Sequence, residues 1–300
     1  MTDPVLALVG PTASGKSSLA LEIAEGRGDT EIVAVDAFTI YRGMDVGTAK
    51  PSAADREVVA HHMIDVADPT HEISVAEFQR AARHAIARIT DRDRVPLLVG
   101  GSGLYFRAVV DDLVFPPTDP TVRAELEERY RDEPAAAHRE LTELDPRAAE
   151  KIEPENLRRS VRALEVIRLT GKRFSAFARA WEDFRSIYEG LEVAYLEPPS
   201  DVLRRRIEER ARAMVDRGLV DEARALRERH GELSRTAEQA IGYQEAFAVL
   251  DGELAEDELA DAIATRTWRY AKRQRSWFGK DPRCEPEPPD DIRKRFTAPG

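Results

Sequence analysis

Short apolar runs alternate with amphipathic stretches along much of this chain, and the alternation predicts strands and helices in turn. The apolar runs predict strands at about residues 5–9, 31–35, 95–99 and 191–196. Between them, apolar side chains recur at helical spacing and predict helices at residues 16–26, 74–90 and 103–112. Strands that alternate with helices are typical of a parallel sheet with helices on both faces. We therefore predict an α/β fold.

From residue 119 to about residue 180 the pattern is that of helices alone. Four pairs of an acidic residue and a proline mark turns, at residues 119–120, 133–134, 145–146 and 153–154. This predicts a helical insertion at residues 118–185, within a core formed by residues 1–117 and 186–283. The second part of the core has helical patterns at residues 200–218, 218–230 and 256–279. Prolines and acidic residues dominate residues 284–300, which favours a mobile tail.

Composition excludes several classes of protein. The longest uncharged apolar stretches span about five residues, whereas a membrane-spanning helix needs about 20. The chain starts Met-Thr-Asp-Pro, which is not a signal peptide, so we expect a cytoplasmic protein with no membrane partner. The single cysteine, Cys284, excludes an internal disulfide framework and a multi-cysteine zinc site. We expect a monomer.

The first predicted strand leads directly into a glycine-rich loop. The loop residues are Gly10, Pro11, Thr12, Ala13, Ser14, Gly15, Lys16 and Ser17, which match the phosphate-loop pattern Gly-x-x-x-x-Gly-Lys-Ser. Its glycines let backbone amides surround anionic oxygens, while Lys16 adds a positive charge and Ser17 can bind Mg²⁺. A turn that only caps a helix is the alternative, but it does not need Lys16 and Ser17. The loop predicts a protein that binds phosphate groups.

Two more strand ends carry candidate chemistry. Asp36 comes directly after the second strand, and Gly-Gly-Ser-Gly at residues 100–103 follows the third. Ligands gather at the carboxyl ends of parallel strands, so both segments are expected beside the phosphate loop. Asp36 can bind a metal ion or accept a proton, although it can also serve only as an N-cap. Residues 100–103 can aim backbone amides at the same site, or form only a tight turn.

The charge is unevenly distributed. The chain has 45 Lys and Arg against 56 Asp and Glu, a net charge of −11, which by itself argues against a nucleic-acid partner. However, residues 151–179 contain eight basic and three acidic side chains, and residues 265–280 contain six basic side chains and no acidic one. Two basic surfaces on an acidic protein predict a polyanion that binds at a defined place.

These segments together resemble the tRNA dimethylallyltransferase family, whose members prenylate the adenine just 3′ of the anticodon. The matching blocks are residues 10–17, Asp36, and residues 41–51, 61–66, 98–105, 162–166, 240–243 and 270–274. They occur in the family's order and span roughly residues 5–280. The resemblance implies a P-loop NTPase-like core with a helical insertion, dimethylallyl diphosphate as donor, the tRNA anticodon stem-loop as acceptor and Mg²⁺ as cofactor.

The resemblance also implies roles for individual residues. Asp36, Lys16 and Ser102 would act in catalysis, residues 10–17 would bind the diphosphate, and Ser17 would hold Mg²⁺ through that diphosphate. Residue chemistry agrees, because an allylic diphosphate ionises only when its leaving group is stabilised, and because the weakly nucleophilic adenine amine needs a proton acceptor. The implied tRNA-binding residues are Asp36, Ala37, Phe38, Thr39, Ser102, Arg123, Arg158, Arg159, Ser160, Val161, Arg162, Gln239, Ala240, Ile241, Gly242, Tyr243 and Gln244.

The sequence departs from the family pattern close to Asp36. The family's Asp-Ser-x-Gln-x-Tyr is here Asp-Ala-Phe-Thr-Ile-Tyr, and its Gly-Gly-Thr-Gly is Gly-Gly-Ser-Gly. Ala37 lacks a hydroxyl and Thr39 lacks an amide, whereas Ser102 keeps a hydroxyl. The contact implied at Thr39 therefore has the weakest support.

Three other functions use the same motifs. A small-molecule kinase would bind ATP in the phosphate loop, and Asp36 would activate a hydroxyl. A nucleotide-gated RNA-binding protein would use the basic surfaces without any reaction. An adenylate prenyltransferase would share the loop and Asp36, but would have less use for two basic helices.

Overall fold

The computed structural model describes residues 4–177 and 183–298. They form two compact units. The first unit contains the chain up to Val110 together with the chain from Ser186 onward, and the second unit is Asp111–Arg185. The second unit starts at Asp111, ahead of the predicted start of the insertion at residue 118. Arg179, at the end of the first predicted basic surface, lies outside the described residues.

Within the described residues, the first unit has a sheet of five strands. They are β1 (Val5–Val9), β2 (Thr30–Val35), β3 (His61–His62), β4 (Val95–Gly100) and β5 (Leu191–Tyr195), in the spatial order β3-β2-β4-β1-β5. All four pairings are parallel, which confirms the predicted α/β fold. The apolar pattern missed β3, because two residues are too few to show an alternation.

Helices cover both faces of the sheet. The first four are α1 (Lys16–Arg27), α2 (Ala53–Val58), α3 (Val75–Thr90) and α4 (Gly103–Val110). Leu6 and Leu8 of β1 pack with Leu19 of α1 on one face, whereas Val9 packs with Phe78 of α3 on the other. Because successive side chains of a strand point to opposite faces, a strand covered on both sides must be apolar throughout. This explains the continuous apolar runs in the sequence.

Among its described residues, the second unit has four α-helices around its own core. They are α5 (Pro120–Arg129), α6 (Pro134–Leu144), α7 (Pro146–Ala149) and α8 (Leu157–Thr170), and a 3₁₀ turn follows at Phe174–Phe177. Three of the predicted turns are helix starts, where an acidic N-cap residue precedes a proline in the first turn. Proline suits this position because its missing N–H would have no partner in the helix.

Six helices follow β5 in the first unit. They are α9 (Ser200–Asp216), α10 (Leu219–His230), α11 (Arg235–Glu238), α12 (Tyr243–Leu250), α13 (Leu259–Phe278) and α14 (Pro289–Thr297). Helices α9, α10 and α13 confirm the predicted helical patterns. Among the described residues, no helix has the length and apolar character needed to cross a membrane.

Helix α14 corrects the prediction of a mobile tail. Ile292 and Phe296 are fully buried in the cluster that contains α1. The prolines and acidic residues that suggested mobility are a helix start, with Pro289 in the first turn beside Asp290 and Asp291. Proline and acidic side chains both favour the first turn of a helix, since acidic groups complement its positive end. The composition therefore marked a helix terminus and was misread as disorder.

The carboxyl ends of three strands lie level at one edge of the sheet. Gly100, at the end of β4, is paired with Val9 of β1 and with Val35 of β2. A Cβ atom on Gly100 would lie 2.1 Å from the carbonyl oxygen of Val35, so only glycine fits this position. As a result, the segments that begin at Gly10, Asp36 and Gly101 leave the sheet side by side.

Candidate active site

The phosphate loop connects β1 to α1 in a conformation that depends on two glycines. A Cβ atom on Gly10 would lie 2.3 Å from the carbonyl oxygen of Leu196, so a side chain there would collide with the backbone after β5. Gly15 is the N-cap residue of α1 and has a left-handed φ of 99°. The loop therefore places the N-terminus of α1, with its unpaired amides, at the edge of the sheet.

Lys16 lies folded over this loop. Its Nζ donates hydrogen bonds to the carbonyl oxygen of Pro11 (2.7 Å) and to Oγ of Ser14 (3.4 Å). Burial and the charge of Arg210 lower the pKa of Lys16 to about 7, while the carboxylate of Asp36 acts in the opposite direction. A buried ammonium group without a carboxylate bound to it is well suited to meet an incoming anion.

A cavity of about 530 Å³ adjoins the loop and is lined by residues of the first unit. Its polar lining includes Lys16, Ser17, Asp36, Thr39, Arg206, Arg210 and Gln274. Its apolar lining includes Ala34, Phe38, Ala49, Met214, Ile241 and Ile263. One wall can thus bind an anion while another can contact an apolar group.

The two arginines of α9 are functional candidates that the sequence analysis missed. Nη1 of Arg206 donates to the carbonyl oxygen of Ser14 (2.8 Å), and Nη2 of Arg210 donates to that of Thr48 (3.3 Å). Neither arginine is in an ion pair with a described residue, and the buried Nε of Arg210 has no hydrogen-bond partner there. Their spacing of four residues indicates a shared helix face. Only the fold shows that this face meets the phosphate loop.

Asp36 shares the cavity with Lys16. Its Oδ1 accepts hydrogen bonds from the backbone amides of Phe38 (2.8 Å) and Thr39 (3.2 Å). One oxygen of Asp36 therefore caps the turn that follows β2, in agreement with the alternative role considered for this residue. Its Oδ2 accepts no hydrogen bond from the described residues. The turn fixes the direction of the carboxylate, and the second oxygen is available to a ligand.

The segment after β4 supplies the neighbouring wall. Gly100 and Gly101 line the cavity, whereas Ser102 is half-buried at the start of α4 and is not among the described residues that line it. The Tyr270 hydroxyl interacts with the side chains of Ser102 and Gln274. Burial and the nearby charge of Asp36 raise the pKa of Tyr270, so its hydroxyl stays protonated.

The tRNA-binding residues implied in the first unit are partly accessible. Phe38, Thr39, Ala240 and Ile241 line the cavity, and Gln239 and Gln244 are exposed. Ala37 and Gly242 are not among the described lining residues. Tyr243 is fully buried and its hydroxyl hydrogen-bonds to Glu222 and to the Gly47 amide, so it supports the loop around Gly47.

In the second unit, two of the implied tRNA-binding residues have charged groups that are not paired with any described residue. Arg158 and Arg159 are exposed at the start of α8. Ser160 and Val161 are fully buried in the core of this unit. Arg123 and Arg162 hydrogen-bond to the buried Glu165, with Nη2–Oε2 and Nη1–Oε2 distances of 2.8 and 2.7 Å.

The described residues contain no group of three or more His, Cys, Asp or Glu side chains arranged to hold a metal ion. Oxygen ligands are nevertheless present, because the exposed hydroxyl of Ser17 and the carboxylate of Asp36 line the same cavity. Mg²⁺ prefers oxygen ligands and often binds through one or two protein groups together with substrate phosphates. The cavity therefore fits a magnesium ion that binds together with a diphosphate.

Comparison with known proteins decides the family. The family model for IPP transferases matches residues 39–281, which is most of the chain. The chain belongs to the IPP transferase family. This membership confirms the resemblance and makes the protein a transferase with a P-loop NTPase-like fold.

Curated relatives of this IPP transferase include proteins named tRNA dimethylallyltransferase. A tRNA dimethylallyltransferase of Bifidobacterium longum subsp. infantis is 46% identical over 289 residues, covering 94% of this chain and 86% of the relative. Its counterpart in Acidothermus cellulolyticus is 48% identical over 281 residues, covering 93% and 87%.

Solved structures agree with the sequence relatives. The tRNA isopentenylpyrophosphate transferase of Bacillus halodurans matches with a TM-score of 0.70 and 37% identity, covering 98% of this chain and 94% of that one. A eukaryotic dimethylallyltransferase acting on tRNA matches with a TM-score of 0.78 and 26% identity, covering 92% and 70%.

Proposed function

We propose that this IPP transferase moves a dimethylallyl group from dimethylallyl diphosphate to N6 of the adenine 3′-adjacent to the anticodon in tRNA. The observation that carries the proposal is one cavity that contains both a phosphate loop and the carboxylate of Asp36. The relatives named tRNA dimethylallyltransferase support the same reaction. The N6 nitrogen forms a bond to the allylic carbon, the carbon–oxygen bond breaks, and diphosphate leaves with the electron pair.

The cationic wall of the cavity stabilises the leaving group. The part of the phosphate loop that lines the cavity, residues 12–17, lies with Lys16 and the arginines of α9 around the position that a diphosphate would take, whereas Gly10 and Pro11 are not among the described lining residues. Groups fixed in advance around developing negative charge are usually the largest single contribution to catalysis. Mg²⁺, held by Ser17 and the diphosphate oxygens, would add positive charge at the same place. The phosphate loop in this enzyme therefore binds the part of the donor that departs.

Asp36 receives the proton that the adenine amine loses. Its Oδ1 is fixed by two backbone amides, and Oδ2 accepts no hydrogen bond from the described residues. Proton transfer to a fixed base of this kind contributes about 10²–10⁴ in rate. Ser102 follows Gly101, which lines the cavity, and its hydroxyl interacts with Tyr270, which also lines it. Through these neighbours Ser102 is suited to position the acceptor adenine.

The acceptor adenine must leave its stack to reach this cavity. An enzyme that modifies a base inside a folded nucleic acid flips the base into a pocket. Phe38, Thr39 and Ile241 lie in the lining and are suited to contact the flipped base. Arg158 and Arg159 are suited to bind RNA phosphates, because no carboxylate among the described residues neutralises them. A monomeric state and a cytoplasmic location stay predictions.

Incubation of unmodified tRNA with labelled dimethylallyl diphosphate and Mg²⁺, followed by nucleoside analysis, tests the function. We expect one labelled N6-prenyladenosine per acceptor tRNA, located next to the anticodon. Parallel incubations replace the donor with ATP and the acceptor with adenylate. Phosphoryl transfer without prenyl transfer would favour the kinase, prenylation of adenylate alone would favour the adenylate prenyltransferase, and tRNA binding without any product would favour an RNA-binding protein.

A further inference from the structure

Gln274 of α13 uses both ends of its side-chain amide on the two loops that form the cavity. Its Oε1 accepts a hydrogen bond from the Thr12 amide in the phosphate loop (2.9 Å). Its Nε2 donates to the carbonyl oxygen of Gly101 in the loop after β4 (2.7 Å). The side chain is only 5% exposed. One buried side chain therefore connects the loop that binds phosphate to the loop that carries Ser102.

This connection starts where the sheet ends. The β1–β4 pairing ends at Val9 and Gly100. The residues that follow these two strands are therefore no longer joined by the ladder of backbone hydrogen bonds. Gln274 joins them just beyond this point. The two loops are thus linked by a side chain that lies 173 residues after Gly101 and 262 residues after Thr12 in the chain.

Glycines let α13 approach this closely. A Cβ atom on Gly101 would lie 2.5 Å from Nε2 of Gln274, and one on Gly103 would lie 1.8 Å from Cδ1 of Trp277. Trp277 is one helical turn after Gln274, so the last turns of α13 pack directly on the loop after β4. The Gly-Gly-Ser-Gly segment therefore has a packing role in addition to presenting amides.

We propose that Gln274 is a positioning residue that holds the diphosphate-binding loop in register with Asp36 and Ser102. The inference rests on the proposed function and deepens it. A glutamine suits this place because its neutral amide offers a hydrogen-bond donor and an acceptor in one plane. A carboxylate offers only acceptors, and the thioether of methionine has no donor and is only a weak acceptor. The Thr12 amide is committed to Gln274 and the Ser14 amide to the carbonyl oxygen of Pro11 (3.3 Å), which leaves the amides of Gly15, Lys16 and Ser17 for the diphosphate.

The first test replaces Gln274 by methionine, which has a similar length and cannot form either hydrogen bond. We expect kcat to fall by about 10- to 100-fold, because small displacements of reacting groups have effects of this size. KM for tRNA should stay within about threefold of the wild-type value, since tRNA-binding groups are unchanged. The affinity for inorganic pyrophosphate, measured by calorimetry, should fall by at least about fivefold because the loop is no longer held.

The matched control is Gln79→Met in α3. Gln79 is also buried and donates from Nε2 to a backbone carbonyl, that of Ala108, at 2.8 Å. It is not among the described residues that line the cavity. We expect the two variants to lose similar thermal stability, while only Gln274→Met changes kcat and pyrophosphate affinity. Equal kinetics in the two variants would overturn the inference.

The second test is Gln274→Glu, studied against pH. As a neutral acid, the glutamic side chain can donate to Gly101 and accept from Thr12, and so it restores both hydrogen bonds; as a carboxylate it cannot donate. The charged and titratable groups that line the same cavity are Lys16, Asp36, Lys50, Asp55, His61, Arg206, Arg210 and Tyr270. Burial favours the neutral form of the introduced acid, whereas Lys16, Arg206 and Arg210 favour its carboxylate. The pKa of the acid is therefore measured first, from the pH dependence of the variant's free energy of unfolding relative to the wild type. Below that pKa the variant's activity, divided by that of the wild type at each pH, should rise at least about fivefold. Gln274→Met should show no such rise.

The outcomes separate this inference from the proposed function. A flat activity ratio for Gln274→Glu across the measured pKa of the introduced acid overturns the positioning role, even if Gln274→Met fails to fold. If the wild-type protein forms no prenylated nucleoside, the proposed function fails. The pyrophosphate affinities then still decide whether Gln274 holds the phosphate loop, because they do not require a reaction.

Discussion

Asp36 and Glu165 are both carboxylates near arginines, yet their surroundings assign them opposite roles. Glu165 is fully buried, and both its oxygens are occupied by the Asp119 amide and by two arginines. Asp36 is half-buried, and only Oδ1 accepts hydrogen bonds from the described residues. A carboxylate with both oxygens occupied fixes structure, whereas one with a free oxygen facing a cavity can bind a ligand or a proton.

The arginines around the two carboxylates differ in the same way. Arg123 and Arg162 are neutralised by Glu165, and Arg162 also donates to the carbonyl oxygens of Pro116 and Pro117 (both 2.9 Å). Arg206 and Arg210 instead donate to backbone carbonyls, which leaves their charge available. Counting basic residues along a sequence therefore does not show which of them can bind an anion.

Replacing Asp36 by asparagine should have the largest effect. The amide cannot accept the proton from adenine, so we expect kcat to fall by about 10²–10⁴. The affinity for tRNA, measured by filter binding, should stay close to that of the wild type. The control is Asp112→Asn in the second unit, which should leave kcat unchanged. Wild-type turnover in Asp36→Asn would remove the catalytic role and leave Asp36 with only its capping role.

The second largest effect that we expect is a change in pyrophosphate affinity with pH. The pKa of Lys16 is about 7, so in alkaline solution the amine is largely neutral. A bound diphosphate favours the ammonium form, and binding above pH 7 must therefore take up a proton. We expect an uptake approaching about one proton per pyrophosphate near pH 8.5, and a dissociation constant that rises by up to about tenfold per pH unit. Calorimetry in buffers of different ionisation enthalpy measures the uptake.

When Lys16 is replaced by methionine, the protein should lose most of its affinity for pyrophosphate. The remaining affinity should no longer depend on a proton taken up at this position. Pyrophosphate can itself release a proton on binding, so the wild type is compared with Lys16→Met. If both exchange the same number of protons at pH 8.5, Lys16 is already charged in the free protein. In that case the charges of the cavity would be present before the ligand binds, as they are around Glu165.

Glu165→Gln tests the other carboxylate and should affect stability more than chemistry. Burial acts to raise the pKa of Glu165, but hydrogen bonds from Arg162 and Arg123 outweigh it and hold the pKa below its usual range. Its stabilising contribution is therefore present above the unfolded pKa of about 4.5 and lost as pH falls through the lower folded value. We expect the variant to be less stable at pH 7 by about 1–3 kcal/mol, with a smaller difference below pH 4.

Urea unfolding monitored at several pH values measures this difference. A stability loss that did not change with pH would show that Glu165 contributes through packing, not through its charge. The pyrophosphate affinity should not change, in contrast to variants of the cavity.

Removing the exposed charges at the start of α8 should have the smallest effect. In Arg158→Ala with Arg159→Ala, we expect KM for tRNA to rise a few-fold and the slope of log affinity against log salt to fall by about one to two units. The donor KM should be unchanged. Arg139→Ala is the control, because Arg139 is an exposed arginine of the same unit that is paired with Glu133. If Arg139→Ala lowered the slope of log affinity against log salt as much as the double variant does, the total charge of the second unit would matter more than these two positions.

The sequence by itself determined the features that depend on neighbours in the chain. The phosphate loop, the α/β alternation and the acid after β2 follow from residues a few positions apart. That ligand-binding segments gather at the carboxyl edge follows from a general rule for parallel sheets, whereas the strand order came from the structure. The matching blocks also identified the family. Helix α14 was locally encoded as well, but its proline and acidic start was misread.

Only the tertiary structure decided which distant side chains meet at the cavity. Arg206, Arg210 and Gln274 come from α9 and α13, and helical spacing shows that residues share a face but not what that face contacts. In the same way, the patterns of α5 and α8 do not reveal that Arg123 and Arg162 converge on one buried glutamate. Contacts between helices and strands depend on packing between residues that are far apart in the sequence. Which arginines remain unpaired, and how far apart the two loops at the cavity lie, is therefore decided only in the folded protein.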